Sequence, residues 1–472
     1  MRNINHHVKT AVCSILAVVF LWPLAAHAAI LPPDPDNAAL LYYQALLVCA
    51  EPNELHSLLE AALRRVKPDI VLEPNEVSSL VEASLQRAKP DIGPLWVPPE
   101  RTVPLPPEPD NAALLYYQAF LRRPEPNEAT FRRIEEVLRG AKPDKGIREY
   151  LQRCCLTVQL AHAASQIRHC DWGIVYSHGP GLDSNLIWQM RQLSFVLDVY
   201  ARTLAIDEKY RAALETCLAL RRLSTRIGED TYLMYLGSLT FDRRSLGCIR
   251  HVLGSMPPDI DTLTWLQGQL AVQGAPRSPV VWMEMARDID LQFMRTKPER
   301  LARWRKQVEK SVQGERTKKD ILSLTDEEVL LRARQSCDGL LNSLNRVIGS
   351  DIPYVEKRAE MQRLLDELEQ QPVSNPVVLV WFGAGHLIPC HEIYVRQVAY
   401  FNTVRAAIEI YLATAKTGRL PEMLPDHLPK DPYSGQGFEY EKTEDGFVLR
   451  CRFKAIDDNK VWQYEFKVRK SD

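Results

Sequence analysis

Apolar residues recur every three or four positions through the middle of the chain, which is the period of an α-helix with one buried face. One such stripe comprises Leu186, Met190, Leu193, Leu197, Tyr200 and Leu204. The next comprises Tyr210, Leu214, Cys217, Leu220 and Leu223, with Arg211, Arg221, Arg222 and Arg226 at positions expected to face water. The pattern predicts that residues 147–371 are helical nearly throughout.

Two further helices are predicted nearer the C-terminus. Thr325 and Glu328 have the spacing of a capping box, in which each side chain bonds the backbone of the other at the start of a helix. That helix would bury Ala333, Cys337, Leu340, Leu344 and Val347. The second would bury Val404, Ala407, Ile408, Tyr411 and Ala415, and would end at Gly418 and Pro421.

After Pro421 the period changes to two, which is typical of β-strands with one buried face. The alternating apolar residues are Phe447, Leu449, Cys451 and Phe453, followed by Trp462, Tyr464, Phe466 and Val468. Because three strands alone are marginally stable in water, we expect the sheet to pack on the helix over 400–416. The predicted fold class is mainly α: an irregular helical-hairpin bundle with a small C-terminal antiparallel β meander.

The first part of the chain contains a duplication. Residues 32–45 recur at 106–119 with one change, Asp34 to Glu108. The copies of a second unit are residues 51–69, 73–91 and 125–144. Each unit opens with Pro-Asp-Asn or Pro-Asn-Glu, which favours a helix start, so each predicts one short helix. The uneven offsets favour a local duplication over a regular solenoid.

Residues 1–28 have the features of a secretory signal peptide. Arg2 and Lys9 give a positive start, an apolar run follows, and a small-x-small triplet ends the segment. The alternative is an uncleaved membrane anchor, for which the apolar run is short. We therefore expect an exported protein, periplasmic or extracellular, with no stable membrane span after cleavage.

The predicted organisation has five parts. They are a signal peptide (1–28), a duplicated short-helix block (29–92), a Pro-rich linker (93–109), a helical domain (110–371), and a helix with a β meander (372–472).

The net charge and the cysteines restrict the possible partners and cofactors. Loss of Arg2 and Lys9 with the signal changes the formal net charge from −1 to −3, so the overall electrostatic field of the protein does not favour nucleic acid. The ten cysteines form no Cys-x-x-Cys pair, which argues against a zinc ribbon. Export would permit disulfides, but buried free thiols are favoured.

Three groups of residues have the side-chain types that support chemistry. They are His386, Cys390, His391 and Glu392 as zinc ligands; Ser177, His178 and Asp183 as a hydrolase triad; and His162, His169 and Cys170 as metal ligands gathered on one helical face. None has a known ligand spacing or a nucleophile elbow. A helix start after a Gly turn, an inter-helix loop and ordinary histidines are favoured instead. No catalytic, cofactor-binding or metal site is therefore predicted.

A basic stretch extends from Arg295 to Lys319. The stretch contains ten lysines or arginines and only three glutamates, and Trp304 lies between two arginines in the sequence. In an exported protein this composition would suit an anionic polysaccharide or lipid headgroups. A solvated helix face is the simpler interpretation, and it is favoured.

The segment from Gly418-Arg419-Leu420-Pro421 through Asp431-Pro432-Tyr433-Ser434-Gly435 to Phe438-Glu439-Tyr440 resembles the C-terminal part of type II secretion pseudopilins. The resemblance implies a helix that runs into a turn and a small sheet. C-terminal loops of that family can hold calcium, which here would involve Asp457 and Asp458. The predicted signal peptide departs from the family, whose assembly helix stands at the very start of the chain.

Cys170-Asp171-Trp172-Gly173, together with the same C-terminal turn, resembles a group of exported, largely helical bacterial proteins. This resemblance implies location and fold but no activity. Because no coherent set of nucleophile, base and electrophile is visible, we expect an interaction or scaffold protein of the cell envelope without catalysis. Its partner would be an envelope protein or a glycan. An envelope hydrolase with an unrecognised site is the alternative.

Overall fold

The computed structural model describes residues 110–173, 184–227, 231–313, 315–372, 374–377, 384–425, 427–455 and 460–469. The predicted signal peptide, duplicated block and Pro-rich linker lie outside these residues. Contacts divide the chain into two compact units. The first comprises 1–91, 171–175 and 182–190, and within it the Gly173 amide donates to Asp171 Oδ1 at 2.8 Å. The second comprises 92–170, 176–181 and 191–472.

Fourteen helices and three strands are present in the described residues. The helices are α1 (Ala112–Arg122), α2 (Glu128–Leu138), α3 (Lys145–Arg153), α4 (Cys155–Gln166), α5 (Ser184–Ile206), α6 (Tyr210–Ile227), α7 (Tyr232–Ser255), α8 (Ile260–Gln273), α9 (Val280–Thr296), α10 (Pro298–Ser311), α11 (Glu315–Leu322), α12 (Asp326–Gly349), α13 (Tyr354–Glu369) and α14 (Ala384–Thr417). The strands are β1 (Glu439–Thr443), β2 (Gly446–Lys454) and β3 (Val461–Lys467). The predicted fold class, mainly α with a small C-terminal antiparallel sheet, is confirmed.

The repeat units that fall within the described residues form single helices, as predicted. Asn111 and Asn127 cap α1 and α2, since each side-chain oxygen accepts a bond from a first-turn amide, at 3.1 and 2.8 Å. Helix α2 ends at Leu138. Gly140, two residues later, has φ of 110°, a conformation that favours glycine. This helix end lies before the Lys-Pro-Asp tripeptide at 142–144 that closes the repeat unit. Asp144 of that tripeptide caps α3 instead.

The stripe predicted along α5 is confirmed, because each of its six residues is at most 2% exposed. The capping box of Thr325 and Glu328 is present at the start of α12. The expectation that Arg221 faces water is wrong, since this residue is 0% exposed. Its guanidinium pairs with Asp242 of α7, and α7 packs against α6. A charged side chain is thus accommodated in the core by a partner on the neighbouring helix.

The three strands form an antiparallel meander in the order β1-β2-β3, with Phe447 opposite Phe466. As expected, the sheet packs on α14. Tyr411 meets Phe447 with 5.7 Å between ring centroids, and Tyr400 stacks on Tyr464 at 4.7 Å. Helix α14 also packs against α7, and β3 contacts both helices. None of the helices in the described part of the chain is long and apolar enough to cross a membrane.

Each of the eight cysteines in the described residues is a free thiol, and six of them are buried. This confirms the prediction that they serve mainly as small apolar side chains. Burial raises the pKa of Cys154, Cys337 and Cys390 to about 12 in each case. These thiols are therefore protonated at neutral pH.

Candidate anion-binding cavity

A cavity of about 450 Å³ lies where α5, α7 and α14 meet strand β3. Five arginines line this arginine cavity: Arg202 of α5, Arg243, Arg244 and Arg250 of α7, and Arg396 of α14. Asp198 is the one carboxylate in the described lining. Within this described lining, arginines therefore outnumber carboxylates by four.

The sequence of α7 arranges its part of the wall. Arg243, Gly247 and Arg250 are separated by four and three residues, so they share one face of the helix. Gly247 has no side chain and leaves the wall open between the two arginines. A Cβ added to Gly247 would lie 3.5 Å from the hydroxyl of Tyr400, which also lines the cavity.

Aromatic rings hold most of the guanidinium groups in place. The pairs, with the distance from ring centroid to guanidinium carbon, are Trp462 with Arg396 (4.8 Å) and Arg243 (6.0 Å), Tyr400 with Arg250 (5.7 Å), and Phe195 with Arg244 (4.0 Å). A guanidinium that lies over a ring still presents its N–H edges for hydrogen bonds. The rings therefore restrict these cations without blocking their donors.

Two carboxylates close to the cavity are committed to ion pairs. Asp198 Oδ1 accepts a hydrogen bond from Arg202 Nε at 2.7 Å. Behind the wall, Asp242 accepts from Arg221 Nε at 2.9 Å and from Gln397 Nε2 at 2.6 Å. Because Gln397 belongs to α14, the Asp242 carboxylate links the two helices that carry four of the five cavity arginines.

Two buried donors in the lining have no hydrogen-bond partner among the described residues. They are Nε of Arg244 and Nε1 of Trp462. Burial lowers the pKa of the Arg244 guanidinium from its ordinary value, and nearby Asp198 opposes that change. Buried N–H groups usually have partners. The chemistry of both groups fits a ligand that supplies acceptor oxygens.

The structure disperses the zinc ligands considered near the start of α14. His386 is exposed, Cys390 is buried in the core, and Glu392 accepts hydrogen bonds from the hydroxyls of Tyr354 and Tyr433. Among the described residues, no three His, Cys, Asp or Glu side chains gather as a metal ion would require. The helix itself begins at Ala384, within the Gly-Ala-Gly sequence near which a helix start was predicted.

The other candidate metal group is also separated. His162 is half-buried on α4 and its Nε2 lies 3.1 Å from Thr216 Oγ1. Helix α4 ends at Gln166, so His162 shares no helical face with His169 and Cys170, and the disfavoured metal-site alternative is not supported. Two candidate sites lie outside the described residues, namely Ser177 with His178 and Asp183, and Asp457 with Asp458.

The basic stretch over 295–319 includes the whole of α10. Trp304 and Val308 of this helix are buried in an apolar cluster, whereas Arg303 and Lys310 are exposed. Trp304 is 3% exposed, so its ring packs into the core. Arg303 and Lys310 therefore lie on a solvent-exposed face of α10, opposite its buried apolar residues.

The sequence alone does not single out the arginine cavity. The available signal was the pair Arg243 and Arg250 around Gly247 in a largely apolar segment. Arg396 and Trp462 belong to elements far along the chain, and only the fold brings them to α7. Comparison of the chain with protein-family models, curated proteins and solved structures finds no match.

Proposed function

We propose that the protein binds an anionic ligand in the arginine cavity and acts without catalysing a reaction. The observation that supports this most strongly is that the described lining contains five arginines and a single carboxylate. That carboxylate, Asp198, is already paired with Arg202. Such a wall attracts anions, and guanidinium groups recognise carboxylate or phosphate through parallel hydrogen bonds. The cavity volume also falls in the range of small-molecule sites.

The lining favours binding over hydrolysis. Thr240 donates its hydroxyl proton to the Leu236 carbonyl at 2.9 Å, so it is held away from a nucleophilic role. Burial raises the pKa of both Tyr400 and Tyr464, which keeps their hydroxyls protonated. The described lining has no histidine or cysteine to serve as base or nucleophile.

The proposed setting is the cell envelope. Its support is the N-terminal segment with a positive start, an apolar run and a small-x-small triplet. In that setting we propose an interaction or scaffold role, with an acidic glycan or an organic acid as the natural partner. Both the acidic glycan and the organic acid carry carboxylate groups, which the positively charged lining of the arginine cavity would attract.

Charge reversal in the cavity tests the proposal. In an Arg243→Glu/Arg396→Glu variant, the affinity for citrate is expected to fall at least about 100-fold, because two charge-assisted contacts are lost and two repulsive groups are added. Isothermal titration calorimetry of the purified protein at constant ionic strength measures the change. Circular dichroism and a melting curve check that the variant is folded.

The matched control is Arg303→Glu/Lys310→Glu on the exposed face of α10. It changes the net charge by the same amount, but these positions face solvent and ions screen them. We expect citrate affinity within about twofold of the parent protein. An equal loss in both variants, or no binding of citrate by the parent protein, would contradict the proposal.

A further inference from the structure

We infer that the outer face of α10 binds the headgroups of anionic lipids and so holds the protein against a membrane surface. This basic face comprises Arg303, Lys306 and Lys310, which are exposed to solvent. The three positions lie within about 60° of the helix circumference and about 10 Å of its length. The inference concerns a surface separate from the arginine cavity and does not rest on the function proposed for that cavity.

The positive charge around the basic face contrasts with the rest of the chain. Residues 295–319 contain ten lysines or arginines and three glutamates, which gives them a formal charge of +7. The whole chain has a formal net charge of −1, so all other residues together carry −8. Such an asymmetry orients a protein with its basic side toward an anionic surface.

Two of the ten cations are compensated by the start of α12. Arg295 pairs with Glu327 at 3.2 Å, and Arg305 pairs with Asp326 at 2.7 Å. Arg305 lies about 160° around the helix from Arg303, so its ion pair is on the side of α10 that faces the fold. These two ion pairs therefore leave the basic face unneutralised.

Few carboxylates lie near the basic face itself. Within the described part of the chain, the cation of α10 that forms an ion pair is Arg305, which is not part of that face. Glu299 shares the outer side of the helix, but Arg303 Nε donates to its backbone carbonyl, at 3.4 Å. Glu309 lies about 60° beyond Lys306 around the helix. One carboxylate thus shares this side of α10 with three cations.

Further exposed cations flank the basic face along the chain. Lys297 and Arg300 precede it, and Arg316 and Lys319 follow it on α11. Asp320, which is also exposed, offsets one of these four charges. The field that an anionic surface meets is therefore stronger than that of the basic face alone.

The basic face suits a fluid surface better than a single molecule. Neither the arginine cavity nor the cavity between α9 and α12 is lined by its residues. Trp304, the one aromatic residue of α10, is 3% exposed, so the face has no ring on which a nucleobase could stack. Lipid headgroups diffuse and gather at cations in any arrangement, whereas a stiff polyanion presents its charges at fixed spacings. These features favour a membrane surface over nucleic acid or polysaccharide.

Vesicle binding tests the inference. The full chain is sedimented with vesicles of phosphatidylcholine, or of equal parts phosphatidylcholine and phosphatidylglycerol. We expect the partition coefficient to be at least about tenfold higher for the mixed vesicles, because each lysine or arginine near an anionic surface contributes roughly fivefold. Raising the ionic strength from about 0.1 M to about 1 M shortens the screening length to about 3 Å and should remove this preference.

Neutralising the basic face locates the contact. The variant Arg303→Gln/Lys306→Gln/Lys310→Gln is expected to bind the mixed vesicles at least about 30-fold more weakly, since three contributions of roughly fivefold are lost. Replacing Arg303 by lysine keeps the charge and should leave binding within about twofold of the parent protein. Circular dichroism and melting curves check that both variants are folded.

The matched control removes one arginine and two lysines from another exposed segment, between α2 and α3. Arg139→Gln/Lys142→Gln/Lys145→Gln changes the net charge by the same amount and uses the same types of substitution. Because these residues are not part of the basic face, we expect binding to the mixed vesicles within about twofold of the parent protein.

Several outcomes would overturn the inference. They are equal binding to the two kinds of vesicle, an equal loss in the basic-face variant and the control, and loss of binding in Arg303→Lys, which would indicate recognition of one specific molecule. Binding of soluble polygalacturonate through the basic face, without binding of the mixed vesicles, would assign the face to an acidic polysaccharide instead. None of these outcomes bears on citrate binding in the arginine cavity, so the two proposals fail separately.

Discussion

Replacing Asp242 by alanine is expected to lower the free energy of unfolding by about 3 to 5 kcal/mol. The substitution leaves the Arg221 guanidinium, which is 0% exposed, without its anionic partner. The remaining contacts of Arg221 are with the Gly274 carbonyl at 2.6 Å, with Gln273 Oε1 at 3.2 Å and over the ring of Phe401. None of them supplies a full negative charge. A buried charge without a counter-ion is the main cost. Urea unfolding followed by circular dichroism measures it.

An exposed ion pair provides the control for this prediction. Glu215 pairs with Arg211, and the two side chains are 41% and 46% exposed respectively. Glu215→Ala is therefore expected to lower the free energy of unfolding by less than about 1 kcal/mol. Joint replacement as Asp242→Leu/Arg221→Met should recover most of the stability, because it removes both buried charges. A loss below about 1 kcal/mol for Asp242→Ala would show that the pair does not support the core as described.

Acidification from pH 6.5 to pH 4 is expected to destabilise the protein through three buried or half-buried histidines. Mainly because of burial, the pKa of His162 and of His251 is lowered to about 4, and that of His391 to about 3. The unfolded chain binds protons on these rings near pH 6.5, so it binds more protons than the folded state below that pH. The stabilisation is fully present above pH 6.5 and is lost as the pH falls toward 4.

His162 gives the sharpest test, because its half-buried ring contacts Thr216 and the lowering of its pKa to about 4 corresponds to about 3 kcal/mol. We expect His162→Gln to lose about 3 kcal/mol less than the parent protein between pH 6.5 and 4, since glutamine stays neutral. Burial raises the pKa of Asp290 to about 6, so protonation of Asp290 stabilises the folded state as the pH falls. Because this contribution is common to both proteins, the difference between the His162→Gln variant and the parent protein isolates the effect of His162. Urea unfolding at several pH values measures it, and above pH 7 the two curves should be parallel. Curves that stay parallel down to pH 4 would refute the assignment.

The helices could be predicted from the sequence because their signals are local. The stripe on α5 and the capping box of Thr325 and Glu328 both lie within a few turns of one helix, and both are present in the structure. The sheet was visible for the same reason, since alternation such as that around Phe447 is read from neighbouring residues. These features require no knowledge of how distant segments meet.

The burial of Arg221 and the arginine cavity could not be predicted, because both depend on contacts between distant segments. A periodic pattern assigns an arginine to the solvent side, and the Asp242 carboxylate that accommodates Arg221 belongs to another helix. Asp242 and Gln397 are 155 residues apart in sequence and form one hydrogen bond. The arginines on α7 and α14 form one site only after those helices have packed together.

The buried cysteines bear on how the protein tolerates oxidants. Disulfide exchange and oxidation proceed through the thiolate, and burial blocks access to six of the eight described thiols. Burial also raises the pKa of five of these six, namely Cys154, Cys248, Cys337, Cys390 and Cys451, so their thiolate form is scarce. Cys155 and Cys170, which are half-buried, are the positions where an alkylating reagent should react first. In an oxidising compartment, a folded molecule would thus keep its six buried described thiols reduced without an added reductant.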